Sequence, residues 1–207
     1  VRGKEFVDNR NERGFNELRG YFIDEGGFLS SMDQPAEVSV LEQGPLFVKV
    51  AVKGKIGKYS FTQTIRLTQG EPRIDMSVKL DWTGNPRIGE PGIEFRADNP
   101  RKAFYDDRYK LLVYLPTQIA NQQIYKDAPF DVCESRLENT FFNRWDSIKH
   151  NIILNWVDVA SKDNSCGLSL FTDHTTSYAH GKDFPLALNV QYAGKGLWGR
   201  DYIIDRP

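Results

Sequence analysis

The sequence is short of the features on which several kinds of chemistry depend. It has two cysteines, Cys133 and Cys166, and three histidines. The cysteines do not have CxxC spacing, so neither a disulfide framework nor a cysteine zinc site is expected. Whether the two pair with each other depends on geometry that a sequence does not carry. No apolar run approaches the ~18 residues of a membrane span. Neither sign of charge dominates, with Lys plus Arg at 27 against Asp plus Glu at 28, so the basic excess of a nucleic-acid footprint is missing. Neither nucleic acid nor a membrane is an expected partner. GxSxG and a P-loop are both missing. No segment keeps a 3.6 period over three turns, so long helices are not expected. The opening residues, Val1-Arg2-Gly3-Lys4-Glu5, include neither an initiator Met nor an apolar signal core, as expected of an excised or processed piece.

What is present is period-2 alternation. In Ile74–Trp82 every second residue is apolar, which gives a strand with one buried and one wet face. Leu46–Lys53 and Tyr59–Leu67 read the same way and are joined by the glycine-bearing segment Gly54-Lys55-Ile56-Gly57-Lys58. Together they predict a three-stranded antiparallel meander, in which Val48, Val50 and Val52 face the core and Lys49 and Lys53 face water. Further strands are expected at Glu37–Leu41, Lys110–Leu115, Ile152–Val159, Gly167–Phe171 and Leu186–Tyr192. The prediction is an all-β chain, with antiparallel sheets packed as a β-sandwich in a single domain over residues 1–207. Residues 84–108, rich in Gly, Pro and charge, are expected to form a long surface loop of that domain.

Candidate chemistry is sparse. His174 and His180 stand six apart with Asp173 adjacent, which is not the helical spacing of a zinc hydrolase. These two and His150 read as polar loop residues, and no metal site is assigned. Asp106, Asp107, Glu134, Glu138 and Glu17 are carboxylates of the type a glycosidase places on either side of a scissile bond. Nothing in the sequence pairs them, and no catalytic residue is assigned. Trp82 and Trp156 fall on apolar strand positions and are expected in the core, whereas Trp145 has no clear place. Trp198 lies in a loop with three glycines between Gly194 and Gly199. Glycines let backbone approach a ligand closely, so Trp198, with Gly196 and Gly199, forms the candidate substrate-binding site. The competing reading is that Trp198 caps the sandwich edge.

Several segments, taken in order, resemble a known family. Leu41-Glu42-Gln43-Gly44-Pro45-Leu46, Thr62–Leu67, Pro72-Arg73-Ile74-Asp75 and Asp81-Trp82 are similar to an E-x-G-P-L strand, a Q-x-I-x-L strand, an R-I-D turn and a D-W end. This is the run found in the C-terminal β region of glycoside hydrolase family 38, the α-mannosidases. Tyr109–Pro116 resembles the family's next strand, with Leu115 in place of a Phe. Arg144-Trp145 and Gly167–Asp173 resemble its R-W and G-x-x-L-x-x-D segments, and Leu186–Tyr192 with the glycine loop resembles its late strand-and-loop pair. The resemblance spans roughly residues 37 to 200.

The resemblance implies a galactose mutarotase-like supersandwich that forms the non-catalytic C-terminal part of a retaining α-mannosidase. It implies a catalytic domain in cis as partner, with zinc held in that domain and no cofactor in this chain. It also implies a mannoside substrate reaching the domain edge, where some loops of the β region meet the rim of the sugar site. The zinc-ligand and nucleophile motifs of the family have no counterpart here, and the glycine loop lacks the basic, acid-rich pattern of many animal members. Two rival readings come from other classes. A stand-alone mutarotase-like epimerase would set His150 or His174 beside a carboxylate in a sheet concavity. A carbohydrate-binding module would expose an aromatic platform.

Overall fold

The computed structural model describes residues 5–91, 107–135 and 152–193. The described residues are nearly all β, and the one helical element is a 3-10 turn at Asp107–Tyr109. The chain divides into two compact units, one of residues 29–86 and the other of 1–28 with 87–207.

The smaller unit carries a four-stranded antiparallel sheet in the order β3-β4-β5-β6, with β3 at Glu37–Gln43, β4 at Phe47–Ile56, β5 at Tyr59–Thr68 and β6 at Ile74–Asp81. The predicted meander is present with the predicted register. Val50 stands opposite Val40 and Ile65, and Ile65 opposite Met76, so one face is a continuous apolar surface. Lys49 pairs with Glu42 and Arg66 on the other face. The loop is tighter than expected. Gly54 to Ile56 stay in β4, and the turn is Gly57-Lys58 alone, with Gly57 at φ 58°. A positive φ at the first turn residue only is the geometry of a II′ hairpin, which glycine adopts without strain. Burial differs from expectation. Val48, Val50 and Val52 are half-buried, and the fully buried residue of that stretch is Ala51 on the lysine side. A methyl group is readily covered by the stems of flanking lysines. The deep core of this unit is Ile56, Tyr59 and Phe61. Trp82, expected in the core, is half-buried against Tyr59 with ring centroids 5.1 Å apart.

The larger unit is a sandwich of two antiparallel sheets. One is six-stranded, in the order β10-β13-β14-β7-β1-β2. Its strands are β1 at Glu17–Phe22, β2 at Gly27–Ser30, β7 at Leu111–Leu115, β10 at Ile152–Ile153, β13 at Thr176–Gly181 and β14 at Phe184–Gln191. The other has the order β12-β11-β8-β9, with β8 at Gln122–Ala128, β9 at Asp131–Ser135, β11 at Trp156–Ser161 and β12 at Gly167–Phe171. Ile124, Val157 and Val159 from the second sheet pack with Ile153, Tyr178 and Leu186 from the first. Each sheet contributes one apolar face, and joining the faces removes both from water. Across this layer the Ser135 and Tyr178 hydroxyls form a buried hydrogen bond, and burial pushes Tyr178 up to about 12.

The predicted strand Ile152–Val159 is broken into β10 and β11, and the break has a local cause. The Asp127 carboxylate accepts hydrogen bonds from the backbone of Leu154 (3.0 Å), Asn155 (2.8 Å) and Trp156 (3.3 Å), and from Asn155 Nδ2 (3.0 Å). These amides are taken by a side chain instead of a ladder, so pairing stops there. Trp156, expected in the core, is half-buried next to this break. Cys133 on the edge strand β9 and Cys166 before β12 are both free thiols.

Candidate functional site

The late strand β14 runs from Phe184 to Gln191 and delivers Tyr192 to one end of the six-stranded sheet. A segment from the far side of the chain meets it there. Ile88 forms bridges to both Phe22 and Ala193, and the Gly89 amide donates to Tyr21 O at 3.0 Å. Gly89 has φ 149°, and a Cβ at this position would collide with the Tyr192 ring. The glycine thus permits the close approach that seats Tyr192. We expect Gly89→Ala to cost about 1–3 kcal/mol through backbone strain and to displace Tyr192. A melting temperature within a degree of wild type, with unchanged Tyr192 chemical shifts, would contradict this placement.

Beside Tyr192 lies an open recess of about 440 Å³, lined by Ile152, His174, Thr175, Thr176, Ser177, Asn189, Val190, Gln191 and Tyr192. The β13–β14 pairing brings the lining together, and the Thr176 hydroxyl donates to Asn189 O at 2.9 Å. Lys110 adjoins the recess. Its ammonium donates to Ser177 Oγ at 3.4 Å and lies 5.7 Å from the Tyr192 ring centroid. That ammonium is ion-paired to Asp107, with both side chains largely withdrawn from water (12% and 2% exposed). A close ion pair of this kind presents no net charge to a ligand. His174, at the rim, contacts the Asp173 carboxylate through Nδ1 at 2.5 Å, which holds Asp173 below the usual carboxylate range.

The residues singled out from the sequence are scattered. Trp198, Gly196 and Gly199, with the rest of the Gly194–Gly199 loop, lie outside the described residues, as do Asp106, Glu138, Trp145 and His150. Among the described carboxylates, Glu17 is buried and accepts from the Gly14 amide at 2.8 Å, which serves to hold the chain where it enters β1. Asp107 holds Lys110, and Glu134 is exposed on the edge strand β9. His180, read as a loop residue, is instead buried in β13, where burial lowers it to about 4, against a smaller opposing effect of a hydrogen bond with the Gly181 backbone. No three His, Cys, Asp or Glu side chains among the described residues converge to hold a metal. The zinc that the resemblance implies therefore has no ligand set among them. Sequence reasoning missed the recess, because neutral residues such as Thr175, Asn189 and Gln191 belong to no motif. The one signal available was the polar cluster Thr175-Thr176-Ser177 ahead of an alternating strand.

The glycosyl hydrolases family 38 C-terminal domain matches residues 21–189. This chain belongs to that family. The match begins in β1, before the first segment that carries the sequence resemblance, and ends before the glycine loop. No curated protein and no solved structure matches the chain.

Proposed function

We propose that this chain is the non-catalytic C-terminal β-sandwich of a retaining α-mannosidase, and that it supports the catalytic domain in cis and supplies one wall of the mannoside site. The observation that carries the reading is the family 38 C-terminal domain match over residues 21–189. The geometry is compatible with it: the late strand β14 ends at Gln191 beside a polar recess suited to hydroxyl groups. In the parent enzyme, hydrolysis would proceed by double displacement on a carboxylate of the catalytic domain, with zinc supplied there. Trp198 at the cleft edge would stack on the sugar or its aglycone.

The test is Trp198→Ala in the full-length polypeptide. A stacking contact of ~1 kcal/mol or a little more corresponds to roughly a tenfold loss of kcat/KM on an extended mannoside. The melting temperature should hold. Normal kinetics with a large drop in melting temperature would instead assign Trp198 to sealing the sandwich edge.

A second reading, a mutarotase-like epimerase, draws on one observation. His174 lines the recess with its Nδ1 oriented by Asp173, the arrangement of a base and its orienting carboxylate. Saturation-transfer NMR of anomer exchange in free mannose and galactose decides it. Acceleration abolished by His174→Gln supports the epimerase, and exchange at the solvent rate rejects it.

A further inference from the structure

We propose that the recess between β10, β13 and β14 is a binding subsite for a neutral hexopyranose, distinct from the glycine loop. The inference starts from Asn189. Its Oδ1 is buried without a hydrogen-bond partner among the described residues, and Asn189 lines the recess. A buried acceptor left unpaired is costly, so a side chain that carries one and lines an open recess gains from turning it to a ligand donor. The neighbouring groups fix the class of that donor. Thr175, Ser177 and Gln191 offer hydroxyl and amide groups that both donate and accept, as the vicinal hydroxyls of a sugar require. Tyr192 supplies an aromatic wall for the apolar C–H side of the ring, and Ile152 adds aliphatic lining. The adjoining Lys110 is neutralised by Asp107. An anionic sugar therefore gains no ion pair that Asp107 does not already hold. The volume, about 440 Å³, accommodates one pyranose ring with its hydration.

The inference rests on the proposed function only for the choice of mannosides as the first probe. Its test uses the 207-residue chain and no turnover. Methyl α-mannopyranoside is titrated while amide shifts are followed by NMR, with glycerol and glucuronate as controls. Saturable shifts at Thr175–Ser177 and Asn189–Tyr192 are expected, with glycerol inert and glucuronate binding no tighter than the mannoside. Asn189→Ala and Tyr192→Ala should each weaken binding by about tenfold, and Gln191→Ala, which leaves both walls in place, should weaken it by less. Circular dichroism melts identify any variant that fails to fold, and the wild-type shift map stands independently of the variants. The proposal is overturned if no saturable shift appears, if the shifts map elsewhere, if glycerol reproduces them, if glucuronate binds more tightly, or if folded Asn189→Ala binds like wild type. Loss of this subsite with a positive Trp198→Ala result would sink this inference alone. Binding here with no turnover by the full-length polypeptide would sink the proposed function alone.

Discussion

Asp127→Ala is expected to destabilise the larger unit by about 3 kcal/mol, because it leaves three backbone amides and the Asn155 side chain without their acceptor. The neighbour Lys126 adds to the effect. Lys126 is buried, its ammonium donates to Ile152 O, and its charge is drawn down by burial while Cys133 and Asp127 support it. Removing Asp127 takes away one of those supports. Burial acts to raise Asp127, but hydrogen bonds from Trp156, Asn155 and Leu154 outweigh it and hold the carboxyl below its usual range. Its contribution is therefore present above the unfolded carboxylate value and is lost as pH falls through the folded one. Asp127→Asn keeps one acceptor oxygen and should recover roughly half the loss. Urea melts of the three proteins check this. Equal stability of Asp127→Ala and wild type would show that the break between β10 and β11 is held by something other than this carboxylate.

The second large effect is an acid transition set by His180. Its folded value of about 4 lies below the ordinary 6.5, because burial in β13 disfavours the imidazolium. A histidine depressed on folding stabilises the chain fully above about pH 6.5 and loses that contribution as pH falls towards 4. The shift corresponds to about 3 kcal/mol across that window. Asp163 lies at about 2 and Asp173 is also lowered, so their losses begin below the histidine window. Denaturant midpoints at pH 7.5, 5.5 and 4.5 should therefore decline steadily, and His180→Gln should flatten the decline. A wild-type midpoint that is level from pH 7.5 to 4.5 would contradict the burial of His180.

The same two residues show where the sequence was legible. Strands β4, β5 and β6 alternate cleanly because one face of their sheet is apolar and the other polar, so register could be read, but burial could not: Ile74 and Met76 on the apolar face are exposed, and Ala51 on the lysine face is buried. Asp127 could not be read. Its partners lie 27 to 29 residues ahead and are mostly backbone groups, so it looks like any surface carboxylate. Strand β13, Thr-Ser-Tyr-Ala-His-Gly, was missed because it is buried on both faces and carries no alternation. Strand β8 was missed because its polar sequence, with Lys126 and Asp127 buried, reads as a loop. The strand β14 was legible, but the recess beside it was not. Asn189 and Ser177 approach one another only through the β13–β14 pairing, and Lys110 comes to them from 67 residues away. Such a site is assembled by topology and leaves no local pattern.

The most direct test of the account is turnover of an aryl α-mannoside by the 207-residue chain, set against the full-length polypeptide translated from its gene, each with and without zinc. The account predicts no turnover by the chain alone under either condition and metal-dependent turnover by the full polypeptide. Zinc-dependent hydrolysis by the isolated chain, or none by the full polypeptide, would contradict it.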